Sequence, residues 1–179
     1  NSRAPLEPSK FIELDNKVLI TYTKKILKNM FNLVDWHDTT RILTVCKENI
    51  KKAELAFLFQ FSFPGTPSIY YGSEVGLNGE NDPFNRKCMI WDEDKQDRKM
   101  FEHIQKLISI RKQYESMSSI NLEWVNVDED DSVLIYKKES QNENIYIIIN
   151  NSDQEVESKL PTSLSSREVF EIYKKETIH

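Results

Sequence analysis

Hydrophobic and polar positions change period several times along this chain, and each change marks an element. From Asp15 to Lys28, Val18, Leu19, Tyr22, Ile26 and Leu27 fall at helical spacing. Lys24, Lys25 and Lys28 come late in that segment, where cations suit the helix dipole, so the spacing predicts one helix over 15–28. Phe31 to Asp35 is a short apolar run with a β-branched member and reads as a buried strand. It stops in Asp35-Trp36-His37-Asp38, which puts an imidazole beside a carboxylate at the strand's carboxyl end. Lys51 to Phe63, rich in Ala, Leu and Phe, predicts a buried helix face, and Pro64 to Glu74 predicts a second short strand punctuated by Pro and Gly.

Gly72 to Asp94 holds three of the four glycines and predicts a long loop, of the kind that is usually functional inside a compact domain. Gln96 to Tyr114 predicts an amphipathic helix, with Phe101, Ile104, Leu107, Ile108 and Arg111 following its period. From Leu122 the pattern turns β-rich. Ser132 to Tyr136 and Asn144 to Ile149, separated by a polar turn at Ser140 to Asn142, predict an antiparallel sheet. The chain therefore reads as α/β first and antiparallel β afterwards.

Composition narrows the function classes. A chain of 179 residues with 39% hydrophobic content can pack a core. A formal net charge of −5 argues against a nucleic-acid partner, which requires a basic face, and fits neutral ligands such as sugars. No apolar run approaches the roughly 20 residues of a membrane span. Asn1 to Pro8 lacks the apolar stretch of a signal peptide and reads as a linker or appended segment. Two cysteines, Cys46 and Cys88, make no disulfide framework, so a reduced cytoplasmic setting is expected. Joined with His37 they have the wrong spacing for a structural zinc site, so neither metal nor cofactor is expected.

Three motifs carry a resemblance. They are the His37-Asp38 strand end, the run Gly65-Thr66-Pro67-Ser68-Ile69-Tyr70-Tyr71-Gly72-Ser73-Glu74, and the loop from Asn81-Asp82-Pro83 through Arg86, Cys88 and Met89 to Trp91-Asp92. Together they resemble α-amylase-family glycoside hydrolases, and the loop is most similar to the neopullulanase, cyclomaltodextrinase and maltogenic amylase branch. The resemblance implies the last two strand–helix units of a (β/α)8 TIM barrel, followed by an antiparallel β-sheet domain. The boundaries expected are a linker at 1–11, the barrel part at 12–116 and the sheet domain at 117–179. In such barrels catalytic side chains gather at the carboxyl ends of the strands.

The resemblance makes Asp38 the carboxylate that stabilises the transition state of a retaining α-glycosidase, and His37 a hydrogen-bonding group at the sugar beside the scissile bond. An anion suits developing positive charge, and an imidazole N–H can donate to a hydroxyl. The other reading of Asp38 is an N-cap for the following helix. Asp82 and Arg86, four apart, can pair and grip vicinal hydroxyls of outer sugar units, or form a plain surface salt bridge. Trp36 stands where the family usually carries a smaller or polar residue and is expected to narrow the substrate cleft. Ser73 stands where an acidic residue is common. Arg41 is expected to orient Asp38 or the loop; Glu74 lines the cleft or is a buried structural carboxylate.

Retention also needs a nucleophile and a general acid. In the resembled family these come from two earlier strands, and nothing ahead of Phe31 matches either motif. The expectation is a carboxyl-terminal part of a glycosidase, inactive alone, acting in its parent on maltooligosaccharides, cyclodextrins or pullulan. Unpaired barrel strands further predict self-association or completion by the rest of the parent. The competing readings are an oligo-α-glucosidase parent and a non-catalytic amylase-like sugar-binding protein.

Overall fold

The computed structural model describes residues 7–128, 133–157 and 169–178. The predicted helix over 15–28 is two helices, α1 (Pro8–Thr21) and α2 (Lys24–Asn29). The break has a local cause. Tyr22 leaves helical geometry, and Thr23 takes the N-cap of α2, its hydroxyl accepting the Ile26 amide. Helix α1 starts at Pro8, within the segment expected to be a linker, with proline in the first turn where its missing N–H costs nothing.

Strand β1 (Phe31–Asn32) and strand β2 (Thr66–Pro67) are parallel neighbours, with Phe31 opposite Thr66 and Asn32 opposite Pro67. Both are shorter than the apolar runs suggested. Pro67 has no amide for the ladder, and beyond it the chain bends into the rim loops. The Gln60 side-chain amide bridges the two strands by donating to Asn32 O at 2.6 Å and Ser68 O at 2.7 Å. Gly65 is needed here, with φ +118° and no space for a Cβ, which would lie 2.7 Å from Met30 O.

A short helix, α3 (Ile42–Val45), follows the first strand's loop, and α4 (Ile50–Ser62) closely matches its expected range. Helix α4 is apolar on two faces because it lies between two cores. Ala53, Phe57 and Phe61 pack with Ile42, Leu43, Met100, Ile104 and Leu107. Leu55 and Phe59 turn to the second core, formed with Met117, Tyr136, Ile145, Ile147 and Ile149. Helix α5 (Arg98–Gln113) is capped by Asp97, whose carboxylate accepts the Met100 amide at 2.9 Å. Its buried stripe keeps Ile104 and Leu107 of the predicted set and adds Met100 and His103, while Ile108 is exposed.

After the short α6 (Glu115–Ser118) comes the expected antiparallel sheet, β3 (Leu122–Asp128), β4 (Val133–Glu139) and β5 (Asn144–Asn150), in the order β3-β4-β5. Strand β4 begins at Val133; the expected start at Ser132 lies outside the described residues. A separate hairpin pairs β6 (Val169–Glu171) with β7 (Glu176–Ile178). Arg111 joins the two parts by donating to Phe61 O, Gly65 O and Met117 O, the last at 2.9 Å. No helix among the described residues is long and apolar enough to cross a membrane.

Candidate active site

The turn after β1 carries Trp36, His37 and Asp38 to the carboxyl end of the parallel pair. Its backbone is fixed locally by the Trp36 amide donating to Thr39 Oγ1 at 3.1 Å and the Thr39 amide donating to Trp36 O at 3.2 Å. The expected long loop is three short 3-10 turns, at Ser73–Val75, Phe84–Arg86 and Glu93–Lys95. The second turn brings Arg86 directly over the first loop.

Asp38 is gripped from both sides. His37 Nε2 lies 3.0 Å from Asp38 Oδ2, and Arg86 Nη2 donates to Asp38 Oδ1 at 3.2 Å. Arg86 Nε donates to His37 O at 3.0 Å and faces Asp82 Oδ1 at 3.2 Å. One guanidinium thus spans Asp38 and Asp82, which the sequence reading had assigned to separate sugar positions. The His37 and Asp38 side chains are 63% and 61% exposed, so the remaining lone pairs of the carboxylate face open solvent. Trp36 is also exposed on this turn. The arrangement offers hydrogen-bond acceptors and donors in one solvent-open area.

Asp38 does not cap α3. The N-cap position is Arg41, and the carboxylate that receives the Ile42 amide, at 2.9 Å, belongs to Asp35. Asp35 is buried and also accepts from Ser73 Oγ at 2.7 Å. Arg41 touches the loops and not Asp38. It is fully buried, with its guanidinium 4.2 and 4.7 Å from the ring centres of Tyr70 and Tyr71. Tyr71 reaches the exposed rim, and its hydroxyl donates to Lys87 O at 2.7 Å. Glu74 is half-buried on the first 3-10 turn. Cys46 and Cys88 are free, and no group of three metal-ligating side chains occurs among the described residues.

Residues 3–176 match the family model described as alpha amylase, catalytic domain. The chain belongs to the α-amylase family. Among its relatives is a cyclomaltodextrinase of Geobacillus thermopakistaniensis, 41% identical over 160 residues, covering 89% of this chain and 27% of that protein. An intracellular maltogenic amylase of Bacillus subtilis is 42% identical over 124 residues, covering 69% of this chain and 21% of its own length. The solved maltogenic amylase from S. marinus superposes with a TM-score of 0.85 at 31% identity, covering 97% of this chain and 24% of that one. This α-amylase-family chain therefore spans about a quarter of the length of the relatives it matches. The match places it in a TIM-barrel family.

Asn85 and Asp35 escaped the sequence reading. Asn85 is a single amide in a polar loop, and only its complete burial marks it out. Asp35 had one available signal, a carboxylate in an otherwise apolar run, where burial demands a partner.

Proposed function

We propose that these residues form the last two strand–helix units of a retaining α-glycosidase barrel and the start of its antiparallel domain. In this reading Asp38 stabilises the transition state, and the nucleophile and general acid lie on strands outside the 179 residues. The observation that carries the reading is the Asp38 carboxylate held between His37 and Arg86 on an open rim at the carboxyl end of paired parallel strands.

Retaining hydrolysis passes through an oxocarbenium-like state on a distorted ring. Each Asp38 oxygen has one protein partner, so both keep acceptor capacity for hydroxyls of that ring. His37 presents its ring at the same position, and Arg86 with Asp82 and Trp36 extends the surface toward further sugar units. Maltooligosaccharides, cyclodextrins and pullulan are the proposed substrates, supported by the kinship with a cyclomaltodextrinase. A cytoplasmic setting is supported by the intracellular relative. Phe31 and Leu33, exposed at the strand pair, are the surface that neighbouring barrel strands or a second copy would cover.

Three measurements test this. The isolated chain should release no reducing sugar from cyclodextrin, pullulan or maltotriose and should associate in light scattering; turnover abolished by Asp38→Asn would refute the division of labour. In the intact enzyme Asp38→Asn should lower kcat by about a hundredfold with KM little changed, because the interaction is stronger in the transition state. A loss below about tenfold would remove Asp38 from the chemistry.

A further inference from the structure

We propose that Arg41 and Asn85 are positioning residues for Asp38, fixing the turn 36–40 against the loop 79–87 so that carboxylate and Arg86 guanidinium meet in one orientation. This rests on the reading of Asp38 given above. Exposed ion pairs hold long side chains loosely and are weakened by salt, so the Arg86–Asp38 pair cannot set its own geometry. Something more rigid must do so. The two sides of the pair stand on different loops, and beneath them lies a stitching of buried polar groups.

Asn85, fully buried, donates through Nδ2 to His37 O at 2.7 Å and Thr39 O at 2.9 Å, clamping the backbone on both sides of Asp38. Its own carbonyl receives Arg41 Nε at 2.8 Å. Arg41 Nη1 donates to Tyr71 O at 2.5 Å and faces Ser73 Oγ at 3.3 Å, while the Arg41 amide donates to Gly79 O at 2.9 Å. Three rim segments are thereby joined through one guanidinium and one amide. Gly79 permits the close return, since a Cβ there would lie 2.3 Å from Phe84 O. Arg86 follows Asn85 directly, so the residue that clamps the turn also sets where the guanidinium begins. Neither Arg41 nor Asn85 has exposed surface to offer a substrate; both act through Asp38 and Arg86.

The test uses the intact enzyme carrying this chain. Asn85→Ala should lower kcat by about tenfold or more with KM within about twofold, since misplacement of a catalytic group by an ångström is enough for such a loss. Asn85→Ser, which keeps one donor, should fall between it and the parent, and it stands in if Asn85→Ala fails to fold. The decisive readout is the cycle with Asp38→Asn: once the carboxylate is gone, the Asn85 substitution should cost no further kcat. An equal loss in both backgrounds, or a kcat unchanged by either Asn85 variant, overturns the proposal. Amide exchange gives a second readout: the Thr39 and Arg41 amides should exchange about tenfold faster in the Asn85 variant. Unchanged exchange there overturns the proposal as well. If Asp38→Asn alone leaves kcat intact, the functional reading has failed, and exchange alone decides whether Asn85 positions the turn.

Discussion

The rim and the seam between helices and sheet are built from opposite materials. At the rim, exposed charges rest on buried polar stitching, with the Arg41 guanidinium against the rings of Tyr70 and Tyr71. At the seam, α4 is clamped between two apolar cores, and the polar groups there are buried without reaching any rim. Stability in proteins comes mainly from the second kind of construction, and chemistry needs the first. The two regions should therefore answer differently to substitution.

The largest expected effect is at the seam. Phe57 is fully buried in the first core, and Phe57→Ala should cost about 3–5 kcal/mol of stability through lost burial and the cavity left behind. Urea unfolding measures this, and kcat per folded molecule of the intact enzyme should stay at the parent level. Asp38→Asn should do the reverse. With its side chain 61% exposed, the substitution should move the unfolding free energy by no more than about 0.5 kcal/mol while removing most of the rate. A large stability loss from Asp38→Asn would erase the distinction between the regions.

Smaller in effect is the response to pH, which probes the seam's charged groups. Burial pushes Asp15 up to about 6, only partly offset by Trp124 and the positive charge of Lys138. Burial pushes Lys138 down to about 7, helped by the Arg111 charge and opposed by Asp15. An acid raised on folding gives stability that is present below its ordinary value of 3.8 and is lost as pH climbs through about 6. A lysine depressed on folding gives stability that is present above 10.5 and is lost as pH falls through about 7. Stability should therefore fall from pH 4 to 6 and rise again from 7 toward 10. Urea midpoints across that range check it, and Lys138→Met should flatten the alkaline rise. A Lys138→Met midpoint that still climbs would place the titration elsewhere.

The same contrast decides what could be read from the residues. The seam was legible because burial leaves periodicity: α4, α5 and the β4–β5 pair fall near their expected ranges. The α1/α2 break was not, since the apolar spacing runs through Tyr22-Thr23 while a single hydroxyl cap interrupts the helix. At the rim, the resemblance to the α-amylase family pointed to His37, Asp38, Asp82 and Arg86, and the structure brings all four together. What holds them was legible only in part. Arg41, expected to orient Asp38 or the loop, does bond the loops, whereas Asn85 was hidden because it works through backbone carbonyls, which carry no residue identity. The cap that was the alternative reading of Asp38 belongs to Asp35, because the choice between two nearby carboxylates depends on the turn's path.

The smallest effect expected lies at the rim's outer side. Asp82 meets Arg86 at 3.2 Å with its side chain 60% exposed, so Asp82→Asn should change stability by less than about 1 kcal/mol. Its consequence should be selective. Arg86 would keep its bonds to Asp38 and to His37 O, leaving the inner site assembled. Lost would be a fixed acceptor for sugar units away from the reacting bond. In the intact enzyme, kcat/KM for a cyclodextrin should then fall more than for a short aryl glucoside that never extends so far. Binding made by remote sugars is also used at the reacting centre, so part of the loss should appear in kcat. Equal losses on both substrates would mean that Asp82 serves Asp38 through the shared guanidinium, and the outer side would then belong functionally to the inner one.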